Sequence, residues 1–411
     1  MNYVIIGNST AAIGCIEGIR QIDRIGPITV ISREDYHTYS RPLISYLLSG
    51  KTDEERMKYR PDDFYRKMNC ELLIGRTVER ILADDKQVLV NDGSRIAYDK
   101  LLVATGSNAF VPPIKGLDTV TKWFTFMSLN DAKAIQKAIN SNTRVLIMGA
   151  GLIGLKCAEG IAKKVRHITV VDLAERILPS ILDKEASEIV QAHLEKQGLE
   201  FILKDSVQAF GANSALLASG KKIEFDILIA AVGVRPNIRL AAEAGGKVNR
   251  GIVTDEYCRS TLPDIYAAGD CAESYDITVG ESRVLALLPN AYMQGECAGI
   301  NMAGVEKHFT KAIPMNAIGF FGLHIITAGS YAGTEYISNG ESRENTYKKL
   351  VTKDGLLKGY ILVGDVARAG IYTALIKEKK PLDSIDFELI KDKPQLMAFS
   401  RVEREKMLGG M

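Results

Sequence analysis

Cysteine is scarce and poorly spaced in this chain of 411 residues: the six, at 15, 70, 157, 258, 271 and 297, form no CxxC and no zinc-finger or ferredoxin pattern. That spacing argues against a resident iron–sulfur cluster or structural zinc and leaves small buried side chains in a reducing compartment. Long apolar runs are missing too. None approaches the roughly 20 residues that cross a bilayer, and the N-terminus MNYVIIG enters a strand at once, without a basic segment or cleavage site. A cytoplasmic protein with no membrane span is expected. Nor does charge of one sign dominate: 52 Lys and Arg against 50 Asp and Glu give a formal net charge of +2. Nothing therefore draws the chain to nucleic acid or to an anionic membrane. The lysine pairs near 163, 348 and 377 read as solvated faces. With 46% hydrophobic and 25% charged residues, the composition suits a globular chain of two or three domains.

What the chain does have is glycine placed after apolar strands. In VLIMGAGLIGLK, residues 145 to 156, a short apolar run stops at Gly149, Gly151 and Gly154 and resumes with helical spacing. The first glycine makes the tight turn, the second lets a pyrophosphate approach, and the third packs the helix on the strand. A second strand, HITVVD, ends in Asp172, whose carboxylate can accept both hydroxyls of an adenine ribose and would repel a 2′-phosphate. This half therefore reads as binding NAD in preference to NADP, with Arg166 and Arg176 as solvated helix-end charge. The N-terminus repeats the pattern in a weaker form: strand YVII, a turn with Gly7, Ser9 and Ala12, strand PITVIS, then Glu34. Two nucleotide folds in one chain could hold two cofactors that exchange electrons. YDKLLVATGS (98 to 107) precedes the middle fold and DILIAAVGVRPN (226 to 237) closes it; these apolar strands end in Gly106 and Gly233. LPDIYAAGDCAE puts Gly269 and Asp270 at the end of another buried strand, where a carboxylate can accept sugar or ribityl hydroxyls. The helix that follows starts near Asn290 and Ala291 and could aim its positive end at an electron-rich ring.

In combination the motifs ATG (104 to 106), GAGLIG and IYAAGD resemble the flavoprotein disulfide reductases with two dinucleotide-binding folds, over roughly residues 1 to 310. YSRPLISYLLSGK and LKGYILVGDVARAG are similar to the branch of NADH:rubredoxin reductases and nitrite reductase flavin domains. The resemblance implies an α/β chain of two doubly wound Rossmann-like domains plus a small α+β C-terminal domain. The NAD domain (111–246) would interrupt a discontinuous FAD domain (1–110 and 247–310), with residues 311–411 forming the last domain. It also implies that Gly7, Ser9, Ala12 and Glu34 hold the FAD adenosine and pyrophosphate and that Asp270 contacts the ribityl chain. Ala104, Thr105, Gly106, Gly233, Gly269, Asn290 and Ala291 join the cofactor-binding set. In the same loop as Tyr46, Pro42 fixes the backbone and Arg41 can lie along the flavin or a phosphate.

Disulfide reductases need two cysteines beside the flavin, and the corresponding loop, YSRPLISY, has none. Thiol chemistry is therefore not expected. Relatives commonly carry glutamate where Lys156 stands and lysine near Tyr46, so both positions depart together. Lys156 is expected to supply the positive charge near the flavin N5, with Tyr46 beside it, and to steer the nicotinamide. In the last hundred residues, YKKLVTKDGLLKGYILVG reads as a hairpin with a DG turn and VARAGIYTALIKEK as an amphipathic helix. His308 and His324 show no acidic partner pattern and read as structural. The tail FSRVEREKMLGGM reads as a solvated terminus.

The leading expectation is an FAD-dependent NADH:acceptor oxidoreductase. A hydride passes from NADH to FAD N5, and single electrons then pass to an iron–sulfur or rubredoxin-type carrier. Three alternatives stand beside it: the FAD/NAD subunit of a larger tungsten- or molybdenum-dependent complex, run in either direction; a redox-sensing FAD/NAD protein; and an NADH oxidase. A homodimer stays open.

Overall fold

The glycine-ended apolar runs become the central strands of two parallel sheets. A computed structural model describes residues 1–339, 345–402 and 404, so most of the C-terminal tail lies outside the described residues. Tyr3–Ile6 is the middle strand of the first sheet. On one side it pairs with Ile28–Ile31 and then Cys70–Leu73, on the other with Lys100–Val103 and then Ile265–Ala267, all parallel. Arg144–Met148 occupies the same place in the second sheet, between His167–Asp172 and Ile227–Ala230, with Leu199–Leu203 and the short Trp123–Phe124 at the edges. Strands buried on both faces need covers on both faces. Each sheet has helices on one side and a three-stranded antiparallel meander on the other, 78–97 in the first fold and 207–224 in the second.

The chain leaves the first sheet after Lys100–Val103, builds the second, and returns to supply Ile265–Ala267. The outgoing strand Ser107–Ala109 and the returning Val234–Pro236 pair antiparallel at the crossing. Beside that ribbon Thr105 Oγ1 donates to the Asn237 carbonyl at 2.8 Å, and Asn237 Nδ2 donates back to the Thr105 carbonyl at 2.8 Å.

The first helix, Thr10–Ile22, lies against Leu288–Met302 with almost no side chain between them. A Cβ on Gly14 would come within 2.3 Å of the Tyr292 carbonyl oxygen, and one on Gly295 within 1.9 Å of that of Ala11. Gly18 and Gly299 continue the contact one turn further on. These four glycines sit four apart on each helix, which lets the backbones touch.

The C-terminal segment is a five-stranded antiparallel sheet in the order Met315–Phe320, Leu323–Gly329, Leu356–Val363, Tyr347–Lys353, Thr334–Asn339. The expected hairpin is present, its turn at Asp354 and Gly355 with φ of 54° and 68°. The helix after it begins only at Ala369, because Arg368 is in the left-handed region at φ 58°. This sheet shares a hydrophobic core with the second fold and with the short helix Ile44–Ser49. Lys348 and Lys349 are not the solvated pair expected: Lys349 is 6% exposed and ion-paired with Asp183 and Glu335, and Lys348 donates to the backbone carbonyls of Lys391 and Asp392. Alternation along a core-facing strand puts one of two adjacent lysines inside, where it must find carboxylates. His308 also has an acidic neighbour, with Nδ1 3.4 Å from Glu256. Among the described residues no helix is long and apolar enough to cross a membrane.

Candidate active site

Parallel sheets bind ligands beyond the carboxyl ends of their strands, and a cavity of about 830 Å³ lies there in the first fold. It falls at the upper end of the roughly 300–1,000 Å³ range of small-molecule sites. Gly7, with φ of 115°, turns the chain out of the central strand; a Cβ there would come within 2.2 Å of the Ala104 carbonyl oxygen. Ser9 caps the first helix without using its own hydroxyl on it, leaving the first amides of that helix toward the cavity. Glu34 and Asp270 both line it, together with Ala104, Thr105, Gly106, Gly269 and Ala291.

Arg41 lines the same cavity. Its guanidinium pairs with Glu34, donates to Tyr39 Oη at 3.2 Å and to the Met127 carbonyl at 3.2 Å, and approaches Ser9 Oγ. Burial works against that charge, but Tyr39 and Glu34 beside it hold the guanidinium fully protonated. Burial pushes the Asp270 carboxyl above its usual range, opposed by a 3.1 Å hydrogen bond from Ser107 and the nearby Arg41. A half-buried carboxylate with one side-chain donor has free lone pairs for ligand hydroxyls, and the Arg41 guanidinium in the same cavity offers a cation to a pyrophosphate. The cavity, the glycine that admits no Cβ and the under-donated Asp270 together fit FAD.

Of the residues expected at FAD, Tyr46 and Lys156 do not line this cavity, and neither do Ala12, Pro42 and Asn290. Ala12 is fully buried behind the turn, Pro42 is exposed in the one-turn helix Arg41–Leu43, and Asn290 turns its amide to the Ile313 carbonyl at 3.0 Å. The sequence reading passed over Tyr39 as a site residue. Its hydroxyl donates to Glu34 at 2.6 Å and accepts from the Leu129 amide, tying the Glu34 side of the cavity to the second fold. Ser107 was passed over as well, although both residues lie inside motifs already singled out, YSRPLISY and YDKLLVATGS.

The second fold repeats the turn in the open. Gly149 has φ of 108°, and a Cβ on it would come within 2.2 Å of the Ala231 carbonyl oxygen, as Gly7 does against Ala104. A Cβ on Gly154 would come within 2.1 Å of the Gly149 oxygen, whereas Gly151 faces open space where a phosphate could lie. Gly233 (φ 123°) sits past the neighbouring strand, its carbonyl accepting from the Phe110 amide. Asp172 accepts from the Ala150 amide at 2.6 Å and the Ala174 amide at 2.8 Å, so its carboxylate pins the glycine turn. Arg176 points away to the Leu182 carbonyl and Glu175.

Lys156 and Tyr46 meet, with the ammonium 5.2 Å from the ring centroid. The lysine is not a lone charge, however. It pairs with Glu159 one turn along its helix and donates to the Gly319 carbonyl at 3.0 Å, while Glu159 accepts from the Phe321 amide.

Two Rossmann-type folds, one inserted in the other and each with a glycine turn and an acidic residue after its second strand, define an FAD- and NAD-dependent oxidoreductase. The chain belongs to the pyridine nucleotide-disulphide oxidoreductase family, whose profile matches residues 1–295, and residues 314–380 match the rubredoxin NAD+ reductase C-terminal domain. It is 31% identical over 390 residues to the NADH-dependent phenylglyoxylate dehydrogenase subunit epsilon of Aromatoleum evansii, covering 92% of both chains. It is 30% identical to the rubredoxin-NAD(+) reductase of Alcanivorax borkumensis, covering 89% of this chain and 95% of that one. The Bacillus subtilis assimilatory nitrate reductase electron transfer subunit is 31% identical over 92% of this chain, which spans only 49% of that longer protein. Among solved structures, a covalent putidaredoxin reductase–putidaredoxin complex matches with a TM-score of 0.88 at 24% identity, over 95% of this chain and 96% of that one, a likeness of fold.

Proposed function

We propose that this chain carries electrons from NADH through FAD to an iron–sulfur or rubredoxin-type protein. The observation that carries the reading is the 830 Å³ cavity lined by Glu34, Arg41 and Asp270, beside a second glycine turn pinned by Asp172. FAD, when bound, takes two electrons from NADH and releases them one at a time. The protein supplies position and charge. Residues 1–110 and 247–310 hold FAD, 111–246 hold NAD, and 311–411 form the C-terminal domain. Glu34 accepts the adenosine ribose of FAD, Arg41 and the Gly7–Ser9 turn meet its pyrophosphate, and Asp270 accepts ribityl hydroxyls. Asp172 accepts the NADH ribose, and the turn 149–154 meets the NADH pyrophosphate. Lys156, flanked by Tyr46, places a partly neutralised ammonium at the nicotinamide end.

The loop YSRPLISY carries no thiol, so electrons leave to a separate protein. Relatives named as rubredoxin-NAD(+) reductases support that acceptor class over a subunit of a larger metalloenzyme. A reducing cytoplasm is the setting we infer, and a second copy of the chain is the other partner open to it. Asp270→Asn is the direct test: it should lower the FAD retained after gel filtration about tenfold, by loss of a charged acceptor. Full retention would remove Asp270 from the site.

A further inference from the structure

Two buried thiols outside the cofactor site face each other. Cys258 and Cys297 are 2% and 1% exposed, lie in one hydrophobic core, and are close enough that each thiol dominates the other's electrostatic surroundings. Backbone geometry places them together independently. Asn301 Nδ2 spans the gap, reaching the Tyr257 carbonyl at 3.3 Å and both the carbonyl (2.8 Å) and Sγ (3.4 Å) of Cys297. Cys258 has φ of 62°, a left-handed conformation that a β-carbon disfavours and that holds it in a tight turn toward the helix bearing Cys297. The same Asn301 lines a cleft of about 480 Å³ with Arg259, Ser260 and Gly304, large enough to admit a small oxidant.

The two sulfurs are not equivalent. The neighbouring Cys258 thiol, aided by the Lys307 ammonium and Asn301, holds the Cys297 thiol below its ordinary range, while the same proximity and burial push Cys258 up. Asn301 Nδ2 donates to the Cys297 sulfur at 3.4 Å, a hydrogen bond that favours its thiolate, and Cys297 is assigned as the nucleophile with Cys258 resolving.

We propose that Cys258 and Cys297 form a reversible disulfide when the protein meets hydrogen peroxide. Cys297 attacks the peroxide, cleaving the O–O bond to give a sulfenic acid and one water. Cys258 then displaces the hydroxyl as a second water, and the S–S bond closes with the two thiols oxidised by two electrons in total. The loop closed by this bond, residues 258 to 297, contains Gly269, Asp270, Leu288 and Ala291, one whole wall of the FAD cavity. Oxidation therefore ties that wall together, and a thiol reductant releases it.

Treating the holoprotein with a small excess of hydrogen peroxide, then alkylating under denaturing conditions, should block four thiols of six and yield a 258–297 linked peptide that a phosphine reductant cleaves. In Cys258→Ser, a dimedone-type probe should trap the Cys297 sulfenic acid. Heating should release FAD, followed by its fluorescence, at a temperature several degrees higher in the oxidised than in the reduced protein, and this difference should vanish in Cys258→Ser. Six alkylated thiols after peroxide would overturn the proposal. So would sulfinic acid at Cys297 without the linked peptide in the unsubstituted chain.

Discussion

Asp172 uses one oxygen on the Ala150 amide and the other on Ala174, so it pins the glycine turn and keeps a further lone pair on each oxygen. Asp172→Ala should raise the KM for NADH by about tenfold or more and narrow the preference over NADPH, with flavin content unchanged. Steady-state kinetics with both nucleotides, alongside the flavin spectrum, reads this directly. Lys156 was legible as a departure from its relatives but not as half of an ion pair, because its partner Glu159 and the Gly319 carbonyl are brought to it by the helix turn and by a hairpin 163 residues away. Lys156→Glu should slow flavin reduction by NADH about tenfold, since it replaces a cation with an anion beside Glu159. A stopped-flow rate constant that does not change would leave Lys156 as a clamp between helix and hairpin only. At this scale the sequence spoke clearly where chemistry constrains residue type, at Gly7, Gly149, Glu34 and Asp270, and was silent where a carbonyl or a distant carboxylate decides.

The two glycine turns superpose in logic but not in composition. Gly154 cannot bear a Cβ because the Gly149 oxygen lies 2.1 Å from where it would be, yet the first fold has Ala12 at the matching place, fully buried. The tight spot of the first fold is displaced into its helix pair, where Gly14, Gly18, Gly295 and Gly299 take the close contacts. An apolar periodicity argument cannot see this pairing, since glycine adds nothing to a hydrophobic stripe. Gly295→Val should force the helices apart, lowering the melting temperature by roughly 5–10 °C and loosening FAD, because Ala291 lies one turn away at the cavity. Thermal melting followed by flavin fluorescence checks both effects. A melt identical to that of the unsubstituted protein would mean the helices repack without cost. Strands were the most legible elements, since continuous apolar runs such as VLIM and LLVA have few other uses. The start of the helix Ala369–Lys377 was not, because Arg368 takes a left-handed conformation that the residue type does not announce.

At the scale of the whole chain, the C-terminal sheet is fastened mainly to the second fold. Tyr331 donates to the Ile181 carbonyl, Tyr347 and Lys349 both reach Asp183, and the Phe320–Leu323 turn meets Lys156, Glu159 and His193. To the first fold it is tied by the core shared with Ile44 and Leu48, by Asn290 to the Ile313 carbonyl and by the Asp276–Ala312 bridge. Lys156 is therefore framed by three parts of the chain at once: its own helix, Tyr46 of the first fold and the C-terminal hairpin. The most direct test is anaerobic. The purified protein's visible spectrum is recorded, NADH is titrated in, and oxidised rubredoxin or ferredoxin is then added. The account predicts that NADH bleaches the flavin bands stoichiometrically and that the carrier restores them rapidly as it is itself reduced. Bands that NADH leaves unbleached, or that stay bleached after either carrier is added, would contradict it.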